Sequence, residues 1–290
     1  MIITTDFKYF KPKTSEEAIL LLSEFEKNAI ILAGGTDLIV NLKEENEKPE
    51  VLIDIKGIEE LHEIRFVNNR LFIGANVTFS DLIDSKLIRE KFNLLRQASK
   101  TVASIGIRNR ATLIGNICSA VPSADSASAL LVYEADVIVK KLIGERIIPI
   151  TDWFIGPKKT ALKNDEIVVG ISIEHPNQKY IGTYEKLSRY EGEDLAQAGI
   201  GILAFEGLQF RVAFCAVGTV PKRSERIEEL LNGNNISDDL IQKAKELIPS
   251  EISPISDIRS SKKYRSHMMQ VMFERGMKKV SSQLSGGSNA

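Results

Sequence analysis

At 290 residues with a net charge of −1, the chain is too long for one small core and predicts two or three domains. Lys, Arg, Asp and Glu are interleaved, which excludes the one-sided basic stripe of a nucleic-acid binder, and no apolar run reaches the ~20 residues of a membrane span. Two isolated cysteines, Cys118 and Cys215, cannot build a disulfide framework or hold an iron–sulfur cluster, and the N-terminus shows no secretory leader, so a cytoplasmic protein is expected.

Residues 14–25 open with Thr14 and Glu17 as a capping box and place Ala18, Leu21, Leu22 and Phe25 on one helical face. Residues 29–33 read as a buried strand that delivers the chain into Ala33-Gly34-Gly35-Thr36-Asp37-Leu38. A helix starts there, and residues 51–55 make another short strand before Gly57. This first lobe, residues 1–57, is βαβ-like but lacks the Gly-x-Gly-x-x-Gly of a Rossmann unit.

A second lobe is expected over residues 58–175. It begins with a hairpin around Asn68-Asn69, followed by a capping box at Thr78 and Asp81. A helix over residues 92–102 leads to the second glycine-bearing segment, Arg108-Asn109-Arg110-Ala111-Thr112-Leu113-Ile114-Gly115-Asn116-Ile117, read as irregular chain. Residues 123–133 are predicted helical, a hairpin turns around Gly144, and a strand over residues 167–173 closes the lobe near His175-Pro176-Asn177. The third unit, residues 176–282, sets strands at 183–187, 196–205 and 209–217 before helices at 223–231, 238–247 and 261–280. Strands followed by helices predict an α+β fold with a three-stranded antiparallel sheet and three helices. The Ser-, Gly- and Asn-rich residues 283–290 read as a disordered tail.

The two glycine segments carry the chemistry. Gly34 and Gly35 leave the backbone N–H groups open to close approach by diphosphate oxygens, which no side chain then holds away. Thr36 donates a hydroxyl to such a ligand, or it and Asp37 cap the helix that follows. In the second segment Thr112, Gly115 and Asn116 are the small or polar residues on offer. Arg108 and Arg110 either pair with phosphate or order the loop. Taken together, the segments point to a cofactor held between two lobes. Ser123 and Asp125 sit where helix caps belong, Asp54 reads as structural, Cys118 as a packed residue beside the loop, and Trp153 with Phe154 as core. Met268, Met269 and Met272 are packing, or a face for a partner. His62, His175 and His267 are scattered without a nucleophile or metal-ligand spacing, and no P-loop is present, so hydrolytic triads, metal sites and nucleotide hydrolysis are not expected.

Ala33 to Leu38, Arg108 to Asn116, Pro122-Ser123-Ala124-Asp125-Ser126, Glu185-Lys186-Leu187-Ser188-Arg189 and Arg259-Ser260-Ser261-Lys262-Lys263-Tyr264-Arg265 occur in family order over nearly the whole chain. In these the chain resembles the FAD-binding medium subunit of the molybdenum hydroxylases, the family of xanthine dehydrogenase and carbon monoxide dehydrogenase. The resemblance implies a two-lobed FAD-binding domain of the PCMH type followed by a C-terminal flavoprotein domain. It implies that FAD lies against Ala33, Gly34, Gly35, Thr36, Asp37, Leu38, Thr112, Gly115 and Asn116, with Ser123 and Asp125 on its ribityl or adenine side. It carries Lys186 to a lysine at the polar edge of the flavin ring, where a cation raises the potential. Ile114 departs from the family, which has a glycine there; a β-branched residue resists positive φ.

The same resemblance implies a molybdopterin-binding large subunit and a [2Fe–2S] small subunit as partners, with electrons leaving the flavin for NAD or another acceptor. Two other readings remain open: a free-standing FAD oxidoreductase of the same fold, or a non-catalytic nucleotide-binding assembly module. A broad exposed apolar surface over residues 268–273 would favour assembly.

Overall fold

The computed structural model describes residue 3, residues 6–190 and residues 193–286. Three sheets organise it. The first is small and parallel: β1 (Lys8–Phe10), β2 (Ala29–Leu32) and β3 (Val51–Asp54) run in the order β1-β3-β2. The central strand β3 is buried along its whole length, as its unbroken Val-Leu-Ile run requires. Helix α1 (Ser15–Phe25) starts at Thr14, whose hydroxyl accepts the Glu17 N–H, and Ala18, Ile19 and Leu22 bury its inner face. The Glu17 carboxylate takes the N–H of Lys13 instead of closing the expected box. Helix α2 (Leu38–Lys43) connects β2 to β3 across the first glycine turn. Strand β1 has no sequence counterpart among the expected elements; three residues with an exposed start give no periodic signal.

The second sheet has order β4-β5-β10-β6-β7, all antiparallel. Its members are β4 (Ile64–Val67), β5 (Arg70–Gly74), β6 (Asp136–Lys140), β7 (Glu145–Pro149) and β10 (Ile167–Glu174). One face carries Leu71, Ile73, Val137, Val139, Ile171 and Ile173, all fully buried. Helices α3 (Phe79–Asp84), α4 (Lys86–Lys91), α5 (Asn93–Lys100), α6 (Ile105–Arg108), α7 (Leu113–Ser119) and α8 (Asp125–Val132) lie between β5 and β6. The Thr78–Asp81 capping box forms reciprocally at the start of α3. Helix α8 begins at Asp125, two residues later than expected. The second glycine segment is not irregular: Thr112 accepts the Gly115 N–H at 2.9 Å and starts α7. Helix α9 (Ile150–Trp153) and the ribbon of β8 (Phe154–Gly156) and β9 (Lys159–Thr160) complete this part, with Trp153 buried and its indole N–H donated to the Ile117 carbonyl.

The third sheet, order β11-β12-β13-β14, comprises β11 (Tyr180–Leu187), β12 (Ala198–Phe205), β13 (Gln209–Cys215) and β14 (Lys222–Arg223). It thus has four strands, not three; the two-residue β14 is too short to show in the sequence. Helices α10 (Glu225–Leu231), α11 (Asp238–Glu251) and α12 (Lys262–Gly286) follow. Strand β12 is buried throughout: α12 covers Ala198, Ile200 and Ile202 with Met269, Met272, Phe273 and Met277, and Gly276 allows the close crossing over Ile202. Met269 and Met272 are therefore core while Met268 is half-buried, and residues 268–273 offer no broad exposed patch. Helix α12 runs on to Gly286, through residues expected as tail; residues 287–290 lie outside the described residues.

Candidate functional site

The two glycine segments meet. A Cβ placed on Gly34 would lie 2.0 Å from the Arg110 carbonyl oxygen and 3.0 Å from the Ala111 Cα, so the main chains of the two lobes touch here. Gly34 is glycine for that contact. Gly35 is glycine for another reason, its φ of +78°, which a β-branched side chain resists. Next to this contact Ser119 Oγ donates to Asp37 Oδ2 at 2.6 Å, a second tie between the lobes. Asp37 precedes α2 without a side-chain capping bond, so the expected capping role is replaced by this bridge. Lys56, ion-paired with Asp54 at 2.7 Å, reaches the Ala33 carbonyl at 3.3 Å and braces the turn from behind; Tyr9 also donates to Asp54.

A cavity of about 410 Å³ opens beside this junction, within the usual size of small-molecule sites. Ala33, Gly34, Gly35, Thr36, Asp37 and Leu38 line it from the first lobe. Thr112, Gly115, Asn116, Ser123 and Asp125 line it from the second. Among the described residues, the backbone N–H groups of Gly34, Gly35, Thr36 and Asp37 donate to no protein acceptor. Successive unpaired N–H groups at a glycine turn are what an anionic oxygen cluster needs. The Gly115 N–H is already taken by Thr112, so that glycine contributes room instead. Asn116 accepts from Ser126 through Oδ1 at 2.6 Å, which orients its amide. Ile114 sits within α7, 4% exposed, in ordinary helical backbone, so the family departure needs no positive φ; it packs in the core and also lines the cavity, where its bulk replaces a glycine.

Lys186 does not line the cavity. Its Nζ is 3.0 Å from Asp125 Oδ2 and 2.8 Å from the Thr101 carbonyl, and both charged side chains are 7% exposed. Asp125 Oδ1 accepts from Tyr184 at 2.5 Å. Lys186 therefore stands behind Asp125, and Asp125 faces the cavity. Burial raises the Asp125 carboxyl above the usual aspartate range, opposed by Lys186 and Tyr184. Burial, with Asp125 beside it, raises the Tyr184 phenol well above 10. Cys118 also lines the cavity, and burial pushes its thiol up to about 12, far from thiolate chemistry.

Several cavity residues carry no sequence signal: Ile30 and Ile31 on β2, Ala75, Leu162, and Glu166, whose carboxylate is gripped by Arg146 at 2.7 and 2.8 Å. Glu193, Asp194 and Leu195 complete the lining from the turn after β11. Arg108 donates to the carbonyls of Val102 and Ala103 and orders the chain before α6, leaving the cavity lining without a lysine, arginine or histidine among the described residues.

A two-lobed α+β domain with an anion-ready turn at the lobe junction, joined to a sheet-and-helix domain, is an architecture suited to a phosphate-bearing cofactor. Residues 5–176 match the family model of the FAD binding domain in molybdopterin dehydrogenase, and residues 182–280 that of the CO dehydrogenase flavoprotein C-terminal domain. The chain belongs to the FAD-binding medium subunits of the molybdenum hydroxylase family, oxidoreductase subunits that carry FAD. It is 30% identical to the nicotinate dehydrogenase FAD-subunit of Eubacterium barkeri, over 98% of this chain and 99% of that one. It is 31% identical to the carbon monoxide dehydrogenase medium chain of Hydrogenophaga pseudoflava, over 95% and 97%. Among solved structures it matches carbon monoxide dehydrogenase from Hydrogenophaga pseudoflava with a TM-score of 0.92 and 30% identity, covering 98% of this chain and 99% of that one. It also matches the structure of a Cu,Mo-CO dehydrogenase with a TM-score of 0.92 and 28% identity, covering 97% of this chain and 99% of that one.

Proposed function

We propose that this chain holds FAD across the lobe junction and relays electrons from the [2Fe–2S] clusters of a partner polypeptide to NAD or another acceptor. A molybdopterin-binding large subunit would be the source of those electrons. The observation that supports the reading is the contact of Gly34 with the Arg110 main chain, which sets four unpaired N–H groups and the polar residues of the second lobe around one cavity. In this reading the N–H groups of Gly34, Gly35, Thr36 and Asp37 hold the diphosphate. Thr36, Thr112, Asn116, Ser123 and Asp125 supply polar contacts, and Ala33, Leu38 and Gly115 shape the walls. When bound, FAD supplies the redox chemistry. The chain's own residues position it, and the apolar walls around Ile30, Ile31 and Val168 exclude water.

Lys186 acts through Asp125 in this scheme: it offsets the carboxylate's buried charge and fixes its orientation toward the cavity. Residues 1–57 and 58–175 form the two halves of the cofactor domain, and residues 176–282 the domain that closes it. The proposed location is the cytoplasm; among the described residues no helix is long and apolar enough to cross a membrane.

The test is flavin retention. Wild-type chain purified under native conditions carries FAD, and Gly35→Val, which forces a β-branched residue to φ +78° with its Cβ 2.9 Å from Leu32 Cδ1, loses it while keeping its circular dichroism spectrum. Retention of FAD by the folded variant would show that the first turn holds no diphosphate.

A further inference from the structure

The cavity at the lobe junction is acidic. Asp37, Glu47, Asp125, Glu166, Glu193 and Asp194 line it, and among the described residues no lysine, arginine or histidine does. Glu166 and Asp125 are matched by cations that stand outside the lining, Arg146 and Lys186. Asp37 and Asp194 are met by neutral donors, the Ser119 hydroxyl and the Arg189 N–H. A diphosphate adds negative charge to this space, and the N–H groups of the first glycine turn offer it partial charges without a full cation. Like charges brought together in a poorly solvated site push a proton onto the weakest-held carboxylate among them.

Asp125 is that carboxylate. Against the cost of burial, the two-bond grip of Arg146 holds Glu166 below the usual glutamate range, whereas Asp125 has one ammonium and burial leaves it above the aspartate range. Its position matters as much. Lys186 Nζ lies 3.0 Å from Oδ2 and the Tyr184 hydroxyl 2.5 Å from Oδ1, both reaching from β11 behind it, so the carboxylate stands between the cation and the cavity. Ionised, it cancels the charge of Lys186 as a ligand meets it. Protonated, it leaves that charge to act across the cavity wall and gains an O–H to donate. The groups against it keep one charge state near neutrality: burial raises Tyr184 well above 10 and Cys215 on β13 to about 12. On the other elements packed against α8, Arg211 and Arg223 pair with Glu134 and Glu228, and Arg96 donates to the Ile83 carbonyl. Lys100 and Asp152 there are exposed, and burial raises Cys118 on α7 to about 12.

We propose that loading of the diphosphate-bearing cofactor is coupled to protonation of Asp125: one proton is taken from solvent, an O–H bond forms on the carboxylate, and Lys186 is left as a positive charge no longer cancelled within its pair. No electron moves in this step. The inference rests on the FAD reading given above. It makes affinity depend on pH in a defined direction: binding is strongest in acid and weakens as pH rises between the Asp125 values of the free and the loaded chain.

The test titrates FAD into full-length chain freed of flavin, by calorimetry from about pH 6 to about pH 9 in buffers of different ionisation enthalpy; the dependence of the heat on the buffer counts the protons taken up. Wild-type uptake is expected to reach a maximum of up to about one proton per FAD, with the Kd rising by up to about ten-fold per pH unit in the same window. Asp125→Asn, which carries the neutral form permanently, is expected to bind FAD without uptake and with a flat pH profile. FAD binding by wild-type chain with no uptake at any pH overturns the coupling and leaves the FAD site standing. A wild-type chain that binds no FAD overturns the FAD reading and the coupling with it. Wild-type uptake in Asp125→Asn overturns the assignment to Asp125. Should that variant fail to fold, Asp37→Asn and Glu166→Gln decide: uptake is expected to persist in both, and its loss in either overturns the proposal.

Discussion

Asp125, at the start of helix α8, and Lys186, on strand β11, form a buried ion pair 61 positions apart. Such pairs gain little over apolar packing, but losing one partner strands the other, typically at about 3–5 kcal/mol. Lys186→Met should therefore destabilise the fold, by an amount that depends on pH. The Asp125 carboxyl already titrates above its unfolded value, and without the cation it rises further. The folded state then binds more protons than the unfolded one, so stability falls as pH rises from the unfolded aspartate value through the folded one. Melting temperatures of wild type and Lys186→Met should diverge toward neutral pH and converge in acid; parallel curves would mean that Lys186 does not serve Asp125. The sequence marks Lys186 and Asp125 separately, through motifs, but nothing local pairs them. Gly34 is a similar case. Its lack of a side chain is legible, while the reason, the Arg110 main chain 76 positions away by numbering, arises only on folding.

Local signals predict an element when they are strong and fail when a glycine or a short strand interrupts them. Thr78 with Asp81 and Thr14 with Glu17 marked the starts of α3 and α1. Around Thr112 the glycine at 115 argued for loop, yet the Thr112 cap and the apolar Leu113, Ile114 and Ile117 made a helix that buries all three. Strands β1 and β14, three and two residues long, exist only because a neighbouring strand offers its edge. The contact between the turn before α2 and the turn before α7 carries an element-scale prediction. Gly34→Ala pushes a methyl group into the Arg110 carbonyl, and overpacking of this kind costs about 1–3 kcal/mol. Its urea unfolding midpoint should fall and its FAD affinity should weaken together. A variant with wild-type stability would show that the lobes do not rely on this approach.

Across the molecule the second and third sheets are joined by an aromatic cluster centred on His175. Its ring meets Phe66, Phe92 and Tyr180 at 5.9, 5.5 and 5.6 Å, edge to face, and Tyr180 continues to Tyr133 and Phe205. Desolvation first, and then nearby Lys91, lower the His175 pKa below its ordinary 6.5. The ring thus stays neutral in the fold at a pH where the unfolded chain would protonate it. The stability it contributes is present above 6.5 and is lost as pH falls toward the folded value. His175→Phe should flatten the melting-temperature profile between pH 5 and 7; an unchanged slope would place the titrating group elsewhere. The sequence reads His175-Pro176-Asn177 as a boundary, with no hint that the His175 ring itself packs among aromatic rings of both sheets.

The main-chain contact at Gly34 also bears on how the protein matures. The two sides of the cavity are tied by contacts within the chain, the Gly34–Arg110 approach and the Ser119–Asp37 bond. Such ties hold the walls in register and so lower the conformational entropy that loading a ligand between them would cost.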